Sequence, residues 1–180
     1  MEEIEVPTEH LQEAIHEKAE EEKEKWTLYV ALSTAFMAVL AAVAGLLGGH
    51  HINEALIEQI KASDNWAFYQ SKSIKSEIAA STDKILQAMP GKATTAPESK
   101  DAIERYEKEK EDIKAKAEEN EKSSEAHMKK HVTLSKAVTI FQIAIAISAI
   151  AILTRKKLLW YSGILLTLAG IVFLVLGIVN

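Results

Sequence analysis

Charge falls in blocks along these 180 residues, and that segregation constrains the fold more than any other property. The stretches 26–50, 137–154 and 158–180 contain no Asp, Glu, Lys or Arg, whereas all 26 acidic residues lie within 1–25 or 51–130. An apolar helix of about 20 residues crosses the hydrocarbon core of a bilayer. A charge at its centre costs about 3 kcal/mol on insertion scales. Backbone polar groups in lipid must be satisfied within the segment, which selects helices over open strands. Three uncharged runs therefore predict an all-α integral membrane protein with three transmembrane helices.

The charged blocks supply the remaining organisation. Residues 1–25 form an acidic segment, ten Glu against three Lys, in which Thr8 can cap a helix. Residues 26–50 make the first span, with Trp26 and Tyr29 suited to one interface. Residues 51–130 read as an extramembrane, coiled-coil-like helical hairpin: no Pro or Gly interrupts 51–89, and "PGKATTAPES" (90–99) is the turn. On the return arm Ile103, Tyr106, Lys110, Ile113, Ala117, Asn120, Ser124, His127 and His131 keep three-four spacing. On the leading arm Ile52, Leu56, Ile60, Ala67, Ile74, Ile78 and Ile85 are the expected facing seam, with a break in register near 74–78. Residues 131–154 form the second span, 155–157 ("RKK") a basic turn, and 158–180 the third span, anchored by Trp160 and Tyr161.

Several residues are candidates for function. Ala41, Gly45 and Gly49 follow the small-xxx-small pattern that lets helix backbones approach, within the chain or between chains. Gln142, inside the second span, suits interhelical hydrogen bonding, with a pore-lining role as the alternative. Trp66, Phe68 and Tyr69 point to different faces at about 100° per residue. One seam cannot bury all three, so part of the cluster fills the seam opposite 117–124 and part is left for a partner. His127 and His131 share a helix face, and the hairpin returns them to the level of His50 and His51. Those four could hold a divalent metal ion, could make a pH-responsive contact, or could be interfacial histidines with no ligand.

Other chemistry is excluded. The chain has no Cys, so disulfides, thiolate metal sites and Cys nucleophiles are absent. No metalloprotease, phosphate-loop, dinucleotide or nucleophile-elbow motif occurs, so no enzyme is expected and no cofactor beyond a possible metal ion. The net charge of −5, without a basic patch beside aromatics, argues against nucleic acid as a partner.

The stretches "KEKWTLYVALSTAFMAVLAAVAGLLGGHHINEALIEQIKASDNWA" and "HVTLSKAVTIFQIAIAISAIAILTRKKLLWY" resemble a bacterial membrane-protein family catalogued as domain of unknown function 4337. The junction "GLLGGHH" and the segment "FQIAIAISAIAILTRKK" are the most specific parts, and the likeness extends over nearly the whole chain. The resemblance implies three spans and a bacterial inner membrane, and it carries over no activity, cofactor or catalytic residue. Short basic loops remain cytoplasmic, which puts the N-terminus and 155–157 inside, with the hairpin and C-terminus outside. The function expected from the sequence is a non-enzymatic scaffold or accessory subunit, acting by self-association or by docking on a larger membrane complex. A divalent-metal binder or sensor and a small oligomeric channel are the alternatives.

Overall fold

The computed structural model describes the backbone of residues 8–89 and 97–179, with side chains at Glu20, 25–89 and 101–179. Three α-helices account for it: α1 (Thr8–Ala88), α2 (Pro97–Thr154) and α3 (Lys157–Val179), and no strand occurs among the described residues. Each contains a stretch long and apolar enough to cross a membrane. The Thr8 cap and residues 90–96 of the expected turn lie outside what is described, and 97–99 already belong to α2.

The helix limits follow local rules. No Pro occurs between Pro7 and Pro90, so α1 meets no residue lacking a backbone donor over its 81 residues. Good helix formers carry it through Gly45, Gly48 and Gly49. Pro97 stands first in α2, where its missing N–H costs nothing. Helix α2 ends because Arg155 adopts the left-handed conformation, φ 53°, and donates its N–H to the Ile152 carbonyl at 3.3 Å. Lys156 completes the joint, its carbonyl accepting from the Leu159 N–H at 3.1 Å.

The chain divides into two compact units, 1–48 with 132–180, and 49–131. In the first, Leu134, Phe141 and Ser148 on α2 are fully buried at intervals of seven. On α3 the buried residues are Gly163, Thr167, Gly170, Leu174 and Gly177, and its three glycines keep the same interval. The two sets meet in antiparallel order. A Cβ on Gly177 would lie 2.7 Å from Leu134 Cγ, one on Gly170 2.7 Å from Phe141 Cε1, and one on Gly163 2.7 Å from Ser148 Oγ. Each glycine is thus the hole for a side chain of α2, and van der Waals packing of this kind associates helices in lipid, where hydrophobicity supplies little. Helix α1 contributes Val30, Met37 and Ala44 to the buried set, again seven apart. Ala44 packs with Leu134, Ala137, Phe141 and Leu174, flanked by Leu40, Ala41 and Val138. Trp160 donates its indole N–H to Ser33 Oγ at 3.0 Å and ties the start of α3 to α1.

The second unit pairs the later part of α1 with the earlier part of α2, antiparallel. Its seam on α1 runs through Ala55, Ala62, Tyr69 and Ser76, all buried except Tyr69, which is partly so. On α2, Ile113, Ala117 and Ser124 are buried, all members of the expected return-arm seam. The leading arm differs from expectation. Leu56, Ile60, Ile74, Ile78 and Ile85 are 52–60% exposed, and Ala67 is exposed as well. These residues lie roughly opposite the buried line at 3.6 residues per turn.

The physical reason is fit. The return arm presents polar seam members that need partners, and α1 offers them on its Ala/Ser line. Ser124 Oγ donates to the Ala55 carbonyl at 2.8 Å, and Ser76 Oγ donates to Glu107 at 2.7 Å. Lys72 pairs with Glu109 at 2.5 Å. A buried hydroxyl without a partner costs about 1–3 kcal/mol, so this face wins over the bulkier isoleucines.

Candidate functional site

Two features of the 49–131 unit concern function: the histidine pair and the outward face of α1. His51 and His127 are partly buried, and their Nδ1 atoms are 3.0 Å apart, a hydrogen bond in which one ring donates and the other accepts. The ring centroids are 5.2 Å apart. His50 is exposed, its ring centroid 5.4 Å from that of His51. His131 is partly buried, one turn beyond His127. Among the described residues, no group of three or more His, Asp or Glu converges in a way that could hold a metal ion. Two of the four candidate histidines are therefore brought together, as a proton-sharing pair. Zn²⁺ sites generally use three or four protein ligands.

Burial lowers the His51 pKa from its ordinary value of 6.5, and the charges of His127, Lys130 and His50 act in the same direction against an opposing Glu54. A depressed folded-state pKa means that the unfolded chain binds the proton more readily. Stability is therefore full above pH ~6.5 and falls as pH drops below it towards the folded value. Hydrogen exchange at the α1 amides around Ala55 is expected to accelerate between about pH 7 and pH 5 beyond the intrinsic rate, and His51→Phe is expected to flatten that dependence. An unchanged profile in the variant would remove His51 from this role.

The aromatic cluster divides between the two faces of α1. Trp66 is partly buried and donates its indole N–H to Glu121 at 2.8 Å, within the 117–124 stretch of α2. Tyr69 lies edge-on to Trp66, ring centroids 5.6 Å apart, with the Lys110 ammonium 5.7 Å from its ring. Phe68 is half exposed, and Lys72 sits 5.2 Å from its ring and 5.3 Å from that of Tyr106. The hydrogen bond from Lys72 holds the Glu109 carboxyl below its usual range, and bonds from Lys110 and Ser76 do the same for Glu107. These groups fasten the hairpin near its middle and leave only Phe68 outward.

The helix-packing candidates take different positions. Ala41 flanks the buried cluster of the first unit, and a Cβ on Gly45 would reach Val138 only at 4.0 Å, an ordinary contact. A Cβ on Gly49 would meet nothing within 4 Å. Gln142 is exposed. The tight approaches are at Gly163, Gly170 and Gly177, which the sequence reading passed over. Their signal was available, because a seven-residue glycine interval in an apolar helix marks one face.

The outward face of α1 is the larger finding. Leu56, Ile60, Ala67, Ile74, Ile78 and Ile85 fall within about 40° of one another around the helix axis. On a face about 120° wide around them, from residue 52 to 89, only Asp64 is charged. Exposed positions of α2 in the same unit include Glu104, Arg105, Lys108, Glu111, Asp112 and Glu119. One outer surface thus carries the large apolar residues with Asp64 as its single charge, and the other is densely charged.

Comparison with curated proteins and with solved structures yields no match. A family model described as "Domain of unknown function (DUF4337)" matches residues 26–180 and so covers all three helices apart from the acidic start. The chain belongs to that family.

Proposed function

We propose that this chain is a non-enzymatic membrane scaffold or accessory subunit that works by helix–helix association. The observation that carries the reading is the unpartnered stripe Leu56, Ile60, Ile74, Ile78 and Ile85 on α1. Burying each of these side chains gains about 1.5–3 kcal/mol, and the hairpin buries Ala55, Ala62 and Ala117 instead. A contiguous apolar surface outside the spans is the usual mark of an interaction site. Gln142 adds support, since an amide on the outer surface of an uncharged run gains from a partner helix in lipid. Three helices long and apolar enough to cross a membrane, with the short basic joint 155–157, suit a bacterial inner membrane with that joint on the cytoplasmic side.

The test is the particle mass in mild detergent, and the partners recovered with it, for the native chain beside Ile60→Lys/Ile74→Lys. The native chain is expected to run as a complex and the double variant to lose it. A native chain that runs as a monomer and recovers nothing would sink the reading.

A further inference from the structure

We propose that His51 and His127 form a latch that tolerates one added proton and is opened by a second, parting α1 from α2 where the 49–131 unit begins and ends. The geometry sets the proton count. With the Nδ1 atoms 3.0 Å apart, one nitrogen donates and the other must keep its lone pair. The first added proton takes Nε2 of the donating ring and leaves that hydrogen bond in place. A second has only the accepting Nδ1 left to take. Two N–H groups then face each other at hydrogen-bond distance, each on a cation, and the rings must separate.

The surroundings add to the repulsion. On α1, His50 stands beside His51 with ring centroids 5.4 Å apart, and Glu54 follows one turn on. On α2, Lys130 and His131 are about one turn beyond His127, with Glu125 and Lys129 at exposed positions. His127, Lys130 and His50 all disfavour a charge on His51, with Glu54 opposing them. Because the two rings share one hydrogen bond, the protons belong to the pair and not to either ring.

Opening is confined to this end because the next fasteners do not titrate with histidine. The bond from Ser124 Oγ to the Ala55 carbonyl joins neutral groups, as does no step involving a proton from solvent. Farther along, Lys72 holds the Glu109 carboxyl below its usual range, and Lys110 and Ser76 do the same for Glu107. Both carboxylates therefore stay charged, and keep their bonds, at the pH where histidine takes up protons. The latch opens while the middle of the hairpin remains shut.

Spin labels can test this, since the chain has no native Cys. Asn53→Cys/Ala126→Cys places labels at exposed positions beside the latch, and Gln70→Cys/Lys108→Cys does so near the middle of the hairpin. Distances are read by electron–electron double resonance on the full chain in mild detergent, diluted with unlabelled chain. Between about pH 7.5 and pH 5, a longer distance between positions 53 and 126 is expected to gain at least roughly fivefold in population, with 70 to 108 unchanged. His51→Gln and His127→Gln, each alone, are expected to abolish the change. A glutamine amide accepts from an imidazolium and donates to a neutral ring, so the contact survives either charge. His50→Gln and His131→Gln are expected to retain the change.

Opening that persists in His127→Gln would assign the effect to His51 alone and overturn the latch. Persistence in His51→Gln, loss in His50→Gln or His131→Gln, equal widening at 70 and 108, or no widening in the native chain would each overturn it as well. The distance from 70 to 108 also shows that each variant is folded. Should one glutamine variant fail to fold, the other decides.

Discussion

Replacing Gly170 with leucine is expected to cost about 3 kcal/mol of helix-bundle stability, the upper part of the usual range for overpacking. The Cβ alone would stand 2.7 Å from Phe141 Cε1 and 2.9 Å from Cδ1. Phe141 is fully buried in a cluster with Ala44, Leu134, Ala137 and Leu174, so its ring must move among packed neighbours to make room. Phe141→Ala by itself opens a cavity and is also destabilising, by about 3–5 kcal/mol. The pair Gly170→Leu/Phe141→Ala is expected to lose less than the two single costs together, because the added leucine occupies the space the ring vacated. Reversible unfolding in mixed micelles measures all three. Additive losses would show that the ring and the glycine do not share one hole.

The second large effect concerns the hairpin and separates its two faces. Ala62 is fully buried and Ile60, two residues earlier, is 60% exposed. Ala62→Leu is expected to force the helices apart at a cost of about 1–3 kcal/mol. Ile60→Ser, made in detergent that keeps the chain monomeric, is expected to change stability by no more than about 0.5 kcal/mol. Judged by hydrophobicity alone, the ranking should be reversed, since Ile60 is the larger apolar residue. A larger loss from Ile60→Ser than from Ala62→Leu would return the isoleucines to the seam.

That contrast shows what could be read from the residues and what could not. Uncharged runs between charged blocks identify helices long and apolar enough to cross a membrane, because the cost of a charge or an open backbone in lipid is large and local. The orientation of a helix about its own axis depends on fit, which hydrophobicity measures poorly. Leu56, Ile60 and Ile74 looked like a seam because they are the large apolar residues at the right spacing. The buried line is Ala55, Ala62 and Ser76, chosen by close approach and by the hydrogen bonds of Ser124 and Ser76. On the return arm the same spacing did identify the seam, since there the alternatives at other angles are charged. The histidines were legible as neighbours across the hairpin, but the pairing of His51 with His127 depends on a rotation of about 100° between adjacent residues that spacing leaves open.

The joint between α2 and α3 has a consequence for how independently the two helices can move. Arg155 holds a backbone conformation in which a side chain costs about 1 kcal/mol, and glycine would relax it. With the chain reversing over so few residues, neither helix can shift far without the other. Helices α2 and α3 are thereby held as one close-packed pair, the glycines of α3 seated on Leu134, Phe141 and Ser148. Replacing Arg155 with glycine would ease the bend while removing one of the three adjacent cations at the joint.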